Sequence, residues 1–221
     1  MKRCLVLVEG PTEERFVKDV LAPYFWPKGI HLEPIILVTK RVVSGPNFKG
    51  GVSTFGKYER DMRRLLQKPG GALVTTLIDY YGLPADFPGL STRPVNGTPR
   101  QRVEHVEKAI HAHFKSRPDF APFLVLHEFE AFLFSDTDEI AAALHESSKL
   151  PQLEAIRSQF PTPEDINDNL RTAPSKRLEA MFPSYSKVLH GPTVAKRIGV
   201  DAIRGQCPHF DSWLRKLESY W

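Results

Sequence analysis

The stretch Cys4-Leu5-Val6-Leu7-Val8-Glu9-Gly10-Pro11-Thr12-Glu13 decides the fold. Five apolar residues in succession, with no polar alternation, read as a strand buried on both faces of a parallel sheet. Gly10-Pro11-Thr12 ends the strand. Thr12 is expected to cap a helix whose first turn holds Glu13 and Glu14, where carboxylates suit the positive end of the dipole. Phe16, Val17, Val20 and Leu21 follow at helical spacing. The unit is therefore a strand, a tight turn and a helix, with Glu9 delivered at the strand's carboxyl end. Met1-Lys2-Arg3 before the apolar run imitates a secretory leader, but the run is too short and Glu9 interrupts it.

The same alternation repeats downstream. Pro34 to Val38 is a second apolar run, leading into a loop with Gly45, Gly50, Gly51 and Gly56; Tyr58 to Gln67 then reads as a basic helix. Ala72 to Ile78 forms a third strand ending at Asp79. Pro and Gly crowd Gly82 to Pro99, Gln101 to Phe114 is helical by period, and Phe123 to Leu126 is a fourth short run ending in His127-Glu128-Phe129-Glu130. Strands alternating with helices imply βαβ crossovers and an open α/β sheet, mainly parallel and flanked by helices. Beyond about Ser135 the chain is helical and punctuated by prolines. The expected division is an α/β domain over residues 1–134 and a helical C-terminal extension over 135–221, packed on the sheet. There is no internal repeat.

Composition narrows the classes. A chain of 221 residues with 41% hydrophobic and 25% charged residues is long enough for a real core and matches neither a disordered tail nor a membrane protein. No membrane partner is expected. Two cysteines, Cys4 and Cys207, cannot build a disulfide framework, and their scarcity suits a reducing, cytoplasmic setting. The net charge of +4 is uneven: residues 1–120 sum to +7, residues 121–170 to −8 and residues 171–221 to +5. Such blocks are commonly solvated faces, but a polyanion-binding enzyme with a carboxylate-rich centre gives the same pattern.

In open α/β sheets the chemistry gathers beyond the carboxyl ends of the strands. Three of the four expected strands end there in acid: Glu9, Asp79 and Glu128. Buried carboxylates repel one another unless something positive joins them. A divalent cation is the usual answer, and hard oxygen ligands favour Mg²⁺ or Mn²⁺ over zinc. The reaction this implies is metal-assisted attack of water on a phosphodiester. A lone strand-end acid is often only solvated or capping, so the argument rests on the three together. If the last strand continues past His127, Glu128 and Glu130 share a face; if a helix starts at His127, they part. Glu13 is within reach of the same pocket, although the helix dipole explains it equally well.

These residues also carry a family resemblance. Leu7-Val8-Glu9-Gly10-Pro11-Thr12-Glu13 resembles the first motif of the Toprim (topoisomerase–primase) domain, in the version found in overcoming-lysogenization-defect (OLD) family nucleases. Leu77-Ile78-Asp79-Tyr80-Tyr81-Gly82 resembles its second motif, an Asp-x-Asp. His127 to Phe134, Ala173-Pro174-Ser175-Lys176-Arg177 and Cys207-Pro208-His209-Phe210 are similar to segments of a Toprim-related bacterial family of unknown function, a resemblance running nearly the whole chain. It implies a Rossmann-like sheet, Glu9 as metal ligand or general base, Asp79 as metal ligand, and Mg²⁺-dependent chemistry on DNA or RNA. By analogy with OLD systems it also implies a partner ATPase and a part in phage defence. Tyr81 departs from the pattern, which has a second Asp there. A second ion would then need Glu128 or Glu130. The sequence leaves homo-oligomerisation open.

Among the remaining residues, Lys176 and Arg177 follow a Pro-Ser turn and are candidates to hold the scissile phosphate, the alternative being a solvated basic first turn capped by Ser175. Lys40-Arg41 and Arg60, Arg63 and Arg64 read as backbone-contact candidates or solvated faces. A histidine such as His127 more often hydrogen-bonds and orients a neighbouring ligand, or packs in the core, than acts as a catalyst. Tyr80, Tyr81, Phe87, Trp213, Tyr220 and Trp221 invite a stacking-platform reading that their spacing does not support. Gly10-Pro11 lacks the lysine of a phosphate-binding loop, so nucleotide hydrolysis is not expected.

Overall fold

The protein is described here from a computed structural model, which covers residues 2–37, 52–67, 70–166 and 172–221. The expected strand end at Val38, the Lys40-Arg41 pair and the glycines Gly45, Gly50 and Gly51 lie outside the described residues. The central sheet has five strands: β1 (Lys2–Val8), β2 (Ile30–Ile36), β3 (Leu73–Asp79), β4 (Phe120–Ala121) and β5 (Leu124–Val125). Their order is β2-β1-β3-β4, with β5 also on β3, and every pairing is parallel. This is the mainly parallel, helix-flanked Rossmann-like architecture anticipated from the alternation.

β1 is buried on both sides, as its unbroken apolar run requires. Cys4, Val6 and Val8 enter one core with Phe16, Val17, Leu21 and the C-terminal residues Val194, Ile203, Phe210, Trp213 and Leu217. Leu5 and Leu7 enter the other, with Tyr58, Met62, Val103, Val106 and Ile110. Each such side chain, fully removed from water, contributes about 1.5–3 kcal/mol. The second core is closed by α3 (Phe55–Leu66) and α4 (Pro99–His113). The first is closed by α1 (Pro11–Phe16), its π-helical continuation Val17–Leu21 and α2 (Ala22–Phe25). The C-terminal helices complete it: α5 (Thr137–Ala143), α6 (Leu150–Arg157), α7 (Pro174–Met181), α8 (Lys187–Ile198), α9 (Val200–Gln206) and α10 (Pro208–Ser219). Residues after 135 therefore pack on the sheet and share its core.

Three local expectations need correction. β2 begins at Ile30, before the expected Pro34, because it is an edge strand: Ile30 and Leu32 are buried while His31 and Glu33 are not, an alternation hidden from a search for continuous apolar runs. Pro34 is tolerated at that edge. The helix after Glu9 starts at Pro11, with Gly10 rather than Thr12 at the cap, since proline's fixed φ is pre-organised for the first helical position. The expected fourth strand, Phe123 to Leu126, is the short β5, and a further strand the sequence did not suggest, β4, precedes it across Pro122, which has no N–H for the ladder. Threonine hydroxyls of β3 bridge the gap: Thr75 Oγ1 donates to the Ala121 carbonyl at 2.5 Å, and Thr76 Oγ1 accepts from Phe123 N–H at 2.9 Å.

α10 is fixed to this seam. Trp213 Nε1 donates to Thr75 Oγ1 at 2.8 Å, and the indole stacks on Phe123 with centroids 4.4 Å apart and planes 7° apart. Trp213 and Phe87 are thus core residues, as the amphipathic spacing of Trp213, Leu214 and Leu217 indicated. Cys4 and Cys207 are both free and buried, and burial pushes the Cys4 thiol up to about 12. Among the described residues no helix is long and apolar enough to cross a membrane.

Candidate functional site

The parallel registers set the site. Val8 lies opposite Leu77, and Asp79 opposite Val125, so β1, β3 and β5 end side by side. Glu9 and Asp79 leave adjacent strands together, and Asp79 N–H donates to Glu9 Oε2 at 3.4 Å. Glu13 returns from the first turn of α1 to accept from Gly10 N–H at 2.9 Å, closing the strand-to-helix turn. Glu128, in extended conformation, directly precedes a 3₁₀ segment (Phe129–Ser135) that carries Glu130. The helical segment starts at Phe129, two residues beyond the His127 start that would have parted Glu128 and Glu130, and both carboxylates meet one cation.

That cation is Lys187, the first residue of α8. Its Nζ lies 3.3 Å from Glu130 Oε1 and 3.8 Å from Glu128 Oε1. Two helices aim their positive ends at the same place. α8 presents Lys187 at its N-terminus, and α7 donates Ser175 N–H to Glu128 Oε2 at 3.0 Å. α8 is held against α1, where Arg15 Nη1 donates to the Val188 carbonyl at 2.6 Å. Gly191 permits the close approach to the 3₁₀ segment, because a Cβ there would stand 3.0 Å from the Phe129 ring.

The electrostatics are those of an under-neutralised acidic cluster. Asp79 is pushed well above the ordinary carboxylate range, first by burial and then by Glu9, Glu13, Glu130 and Glu128, which names all five acids as neighbours. Burial raises Glu9 as well, with the Asp79 N–H and Lys187 opposing. Burial lifts Glu13 to about 7, and it lifts Glu130 to about 7 against the pull of Lys187. Asp79 Oδ1 is buried without a hydrogen-bond partner. Lys187 in turn is held above its usual value, the attraction of Glu130, Glu128 and Asp79 outweighing its own desolvation.

The five acids expected as ligands, Glu9, Glu13, Asp79, Glu128 and Glu130, are therefore brought to one end of the sheet. Their oxygens have the chemistry that Mg²⁺ or Mn²⁺ takes, and the orphaned Asp79 Oδ1 is a ligand without a partner. Among the described residues, however, no group of three or more His, Cys, Asp or Glu side chains is arranged to hold a metal ion; Lys187 supplies the countercharge instead. The two cations expected at the phosphate sit elsewhere in their contacts. Lys176 is exposed and pairs with Glu179 at 2.6 Å, while Arg177 Nε donates to the Thr172 carbonyl at 2.6 Å with its guanidinium over Phe160. α7 is not capped by Ser175, which lies inside the helix with its hydroxyl buried; what the Pro-Ser turn gives the site is a backbone N–H. Arg60, Arg63 and Arg64 belong to ion pairs with Asp61 and Glu59 on the face of α3.

Lys187 was not among the residues the sequence singled out. A lysine opening a helix reads as solvated, and only the α1–α8 packing carries it to the strand ends.

Fold and site together define a Rossmann-like α/β protein with a buried acidic cluster at the carboxyl ends of its parallel strands. The chain belongs to the family described as "Domain of unknown function (DUF4276)", whose sequence profile matches residues 8–218. No curated protein and no solved structure matches it.

Proposed function

We propose that the protein is a Toprim-like, metal-dependent nuclease that hydrolyses nucleic-acid phosphodiesters. The observation that carries the reading is Asp79: an aspartate at a strand end, one oxygen unpartnered, its carboxyl pushed upward by burial and by four further acids. Clusters of this kind are costly unless used, and perturbed carboxylates in a strand-end crevice mark functional sites. Glu9, Asp79 and Glu128 would hold Mg²⁺ or Mn²⁺, which polarises a phosphoryl oxygen and makes bound water acidic. Glu9, raised above the usual carboxylate range, is suited to take a proton from the attacking water. Lys187 replaces Lys176 and Arg177 as the cation that steadies the phosphate's developing charge, since it alone of the three is paired with the cluster's acids in the contacts above. A cytoplasmic setting, an ATPase partner and a part in phage defence remain extensions of the same resemblance.

Tyr81, at the position of the pattern's second Asp, favours a second reading: a non-catalytic module that binds nucleic acid or an ATPase. Cleavage assays on single- and double-stranded DNA and RNA with Mg²⁺ or Mn²⁺ separate the two. The nuclease reading expects metal-dependent cleavage that falls about 10²–10³-fold in Glu9→Gln and in Lys187→Met. Nucleic-acid binding with no cleavage under either ion, or full activity in Glu9→Gln, would favour the module.

A further inference from the structure

A cavity of about 330 Å³ that the chemistry above does not use opens where β3 and β5 end, on the side of the sheet that carries α4. Tyr80, Tyr81, Leu83, Arg93, Arg102 and His127 line it, and none of its lining residues is acidic. Its position is fixed by the chain. Tyr80 and Tyr81 directly follow Asp79, and His127 directly precedes Glu128; Tyr80 N–H donates to the Val125 carbonyl at 2.8 Å and Tyr81 N–H to the His127 carbonyl at 3.4 Å. The cavity is thus next to Asp79 and Glu128 along the chain.

Its far wall is built rather than loose. Arg102, from α4, donates to the carbonyls of Val95 at 2.6 Å and Pro94 at 3.3 Å, and so ties the loop of residues 82–98 across the opening. Phe87 anchors that loop in the core, and Asp86 accepts from Phe55 N–H at 2.9 Å. Arg93 is exposed and makes no hydrogen bond or ion pair with any described residue, so its guanidinium is available to a ligand.

An uncommitted arginine, Arg93, and Tyr81 around a concave space at the ends of the same strands as a cluster suited to phosphodiester chemistry fit one chemical class. Guanidinium groups take phosphate oxygens in bidentate pairs, and phenol rings take the flat face of a base. The volume sits at the low end for ligand sites and is sized for one nucleotide, not for a duplex. We propose, resting on the nuclease reading for the neighbouring acids, that this cavity receives the unpaired nucleotide adjoining the scissile phosphate. The substrate class is therefore single-stranded nucleic acid, or a strand from which one base has been turned out. Spacing alone gave no stacking surface; the fold brings Tyr81 and Arg93, 12 positions apart, to the lining of one cavity.

Binding tests this apart from turnover. Fluorescence anisotropy in EDTA, with a labelled single-stranded oligonucleotide as DNA and as RNA and with a blunt DNA duplex, reads affinity while no metal is present. The single strand is expected to bind at least about tenfold more tightly than the duplex. Arg93→Ala, which removes no internal contact, should weaken the single strand about five- to tenfold and leave the duplex within twofold. Tyr81→Ala should weaken it about tenfold, with Tyr81→Phe restoring it. Equal affinity for strand and duplex, or an unchanged single-strand affinity in Arg93→Ala, would overturn the proposal. Loss of cleavage with this binding pattern intact would count against the nuclease reading and leave the cavity assignment standing.

Discussion

Two buried groups of carboxylates sit at different places on the same sheet, and they are finished differently. Around α10, Glu107 accepts from Leu124 N–H at 2.8 Å and pairs with His209 Nε2 at 3.0 Å. Glu164 accepts from His209 N–H at 2.8 Å and Phe210 N–H at 3.0 Å, satisfying the start of the helix. Each of these acids has two partners. At the strand ends, five acids share, among the described residues, one lysine and a few backbone N–H groups, and Asp79 keeps an oxygen with no partner there. Burial alone does not separate structure from function, since both groups are buried. The partners of the carboxylates differ: in the first group each acid has two and ties a helix to its neighbours, although His209 Nδ1 has no hydrogen-bond partner among the described residues, while the crowding of the second is what an added cation would relieve.

The largest effect that would break this contrast is expected at Glu107. Glu107→Ala strips the partner from His209 and from Leu124 N–H and should cost about 3–5 kcal/mol in urea unfolding. Removing a strand-end acid should do the opposite. Asp79→Asn takes one charge from the crowded cluster and should raise the unfolding free energy by about 1 kcal/mol while abolishing cleavage. A stabilising Glu107→Ala, or a strongly destabilising Asp79→Asn, would erase the distinction.

The smallest and most diagnostic effect is on pH. Glu13 and Glu130 have an ordinary value of 4.5 and stand at about 7 in the folded protein. Between those values the folded chain keeps protons that the unfolded chain has lost, so stability falls as pH rises through this window. His209, raised by Glu107 against its own desolvation, gives a slope of the same sign: its contribution is full below the usual histidine value and is lost as pH climbs through the raised one. Mn²⁺ separates the two sources. Added at pH 8, it should recover part of the melting temperature in the wild type and less in Glu130→Gln, whereas His209→Gln should leave the recovery unchanged.

Much of this was legible in the sequence, and the limits are physical. Glu9 was readable because it ends a continuous apolar run, and Asp79 because Ala72 to Ile78, interrupted only by Thr75 and Thr76, reads as a strand that ends there; parallel register brings the two together. The Glu128–Glu130 pair was readable as acids but not in geometry, because a two-residue difference in where the helical segment starts, His127 or Phe129, decides their directions. Lys187 and the Glu107–His209 pair were not found. Nothing local distinguishes a helix-opening lysine from a solvated one, or a carboxylate on an amphipathic helix from its neighbours; only packing between distant segments gives them partners.

The contact that ties Arg15 to Val188 joins positions 173 residues apart, and the Trp213–Thr75 bond joins positions 138 apart. During synthesis the acidic strand ends therefore emerge from the ribosome long before the lysine that balances them. Assembling the strand ends in that interval would crowd the acids without Lys187, so the centre is completed only once the late helices have arrived.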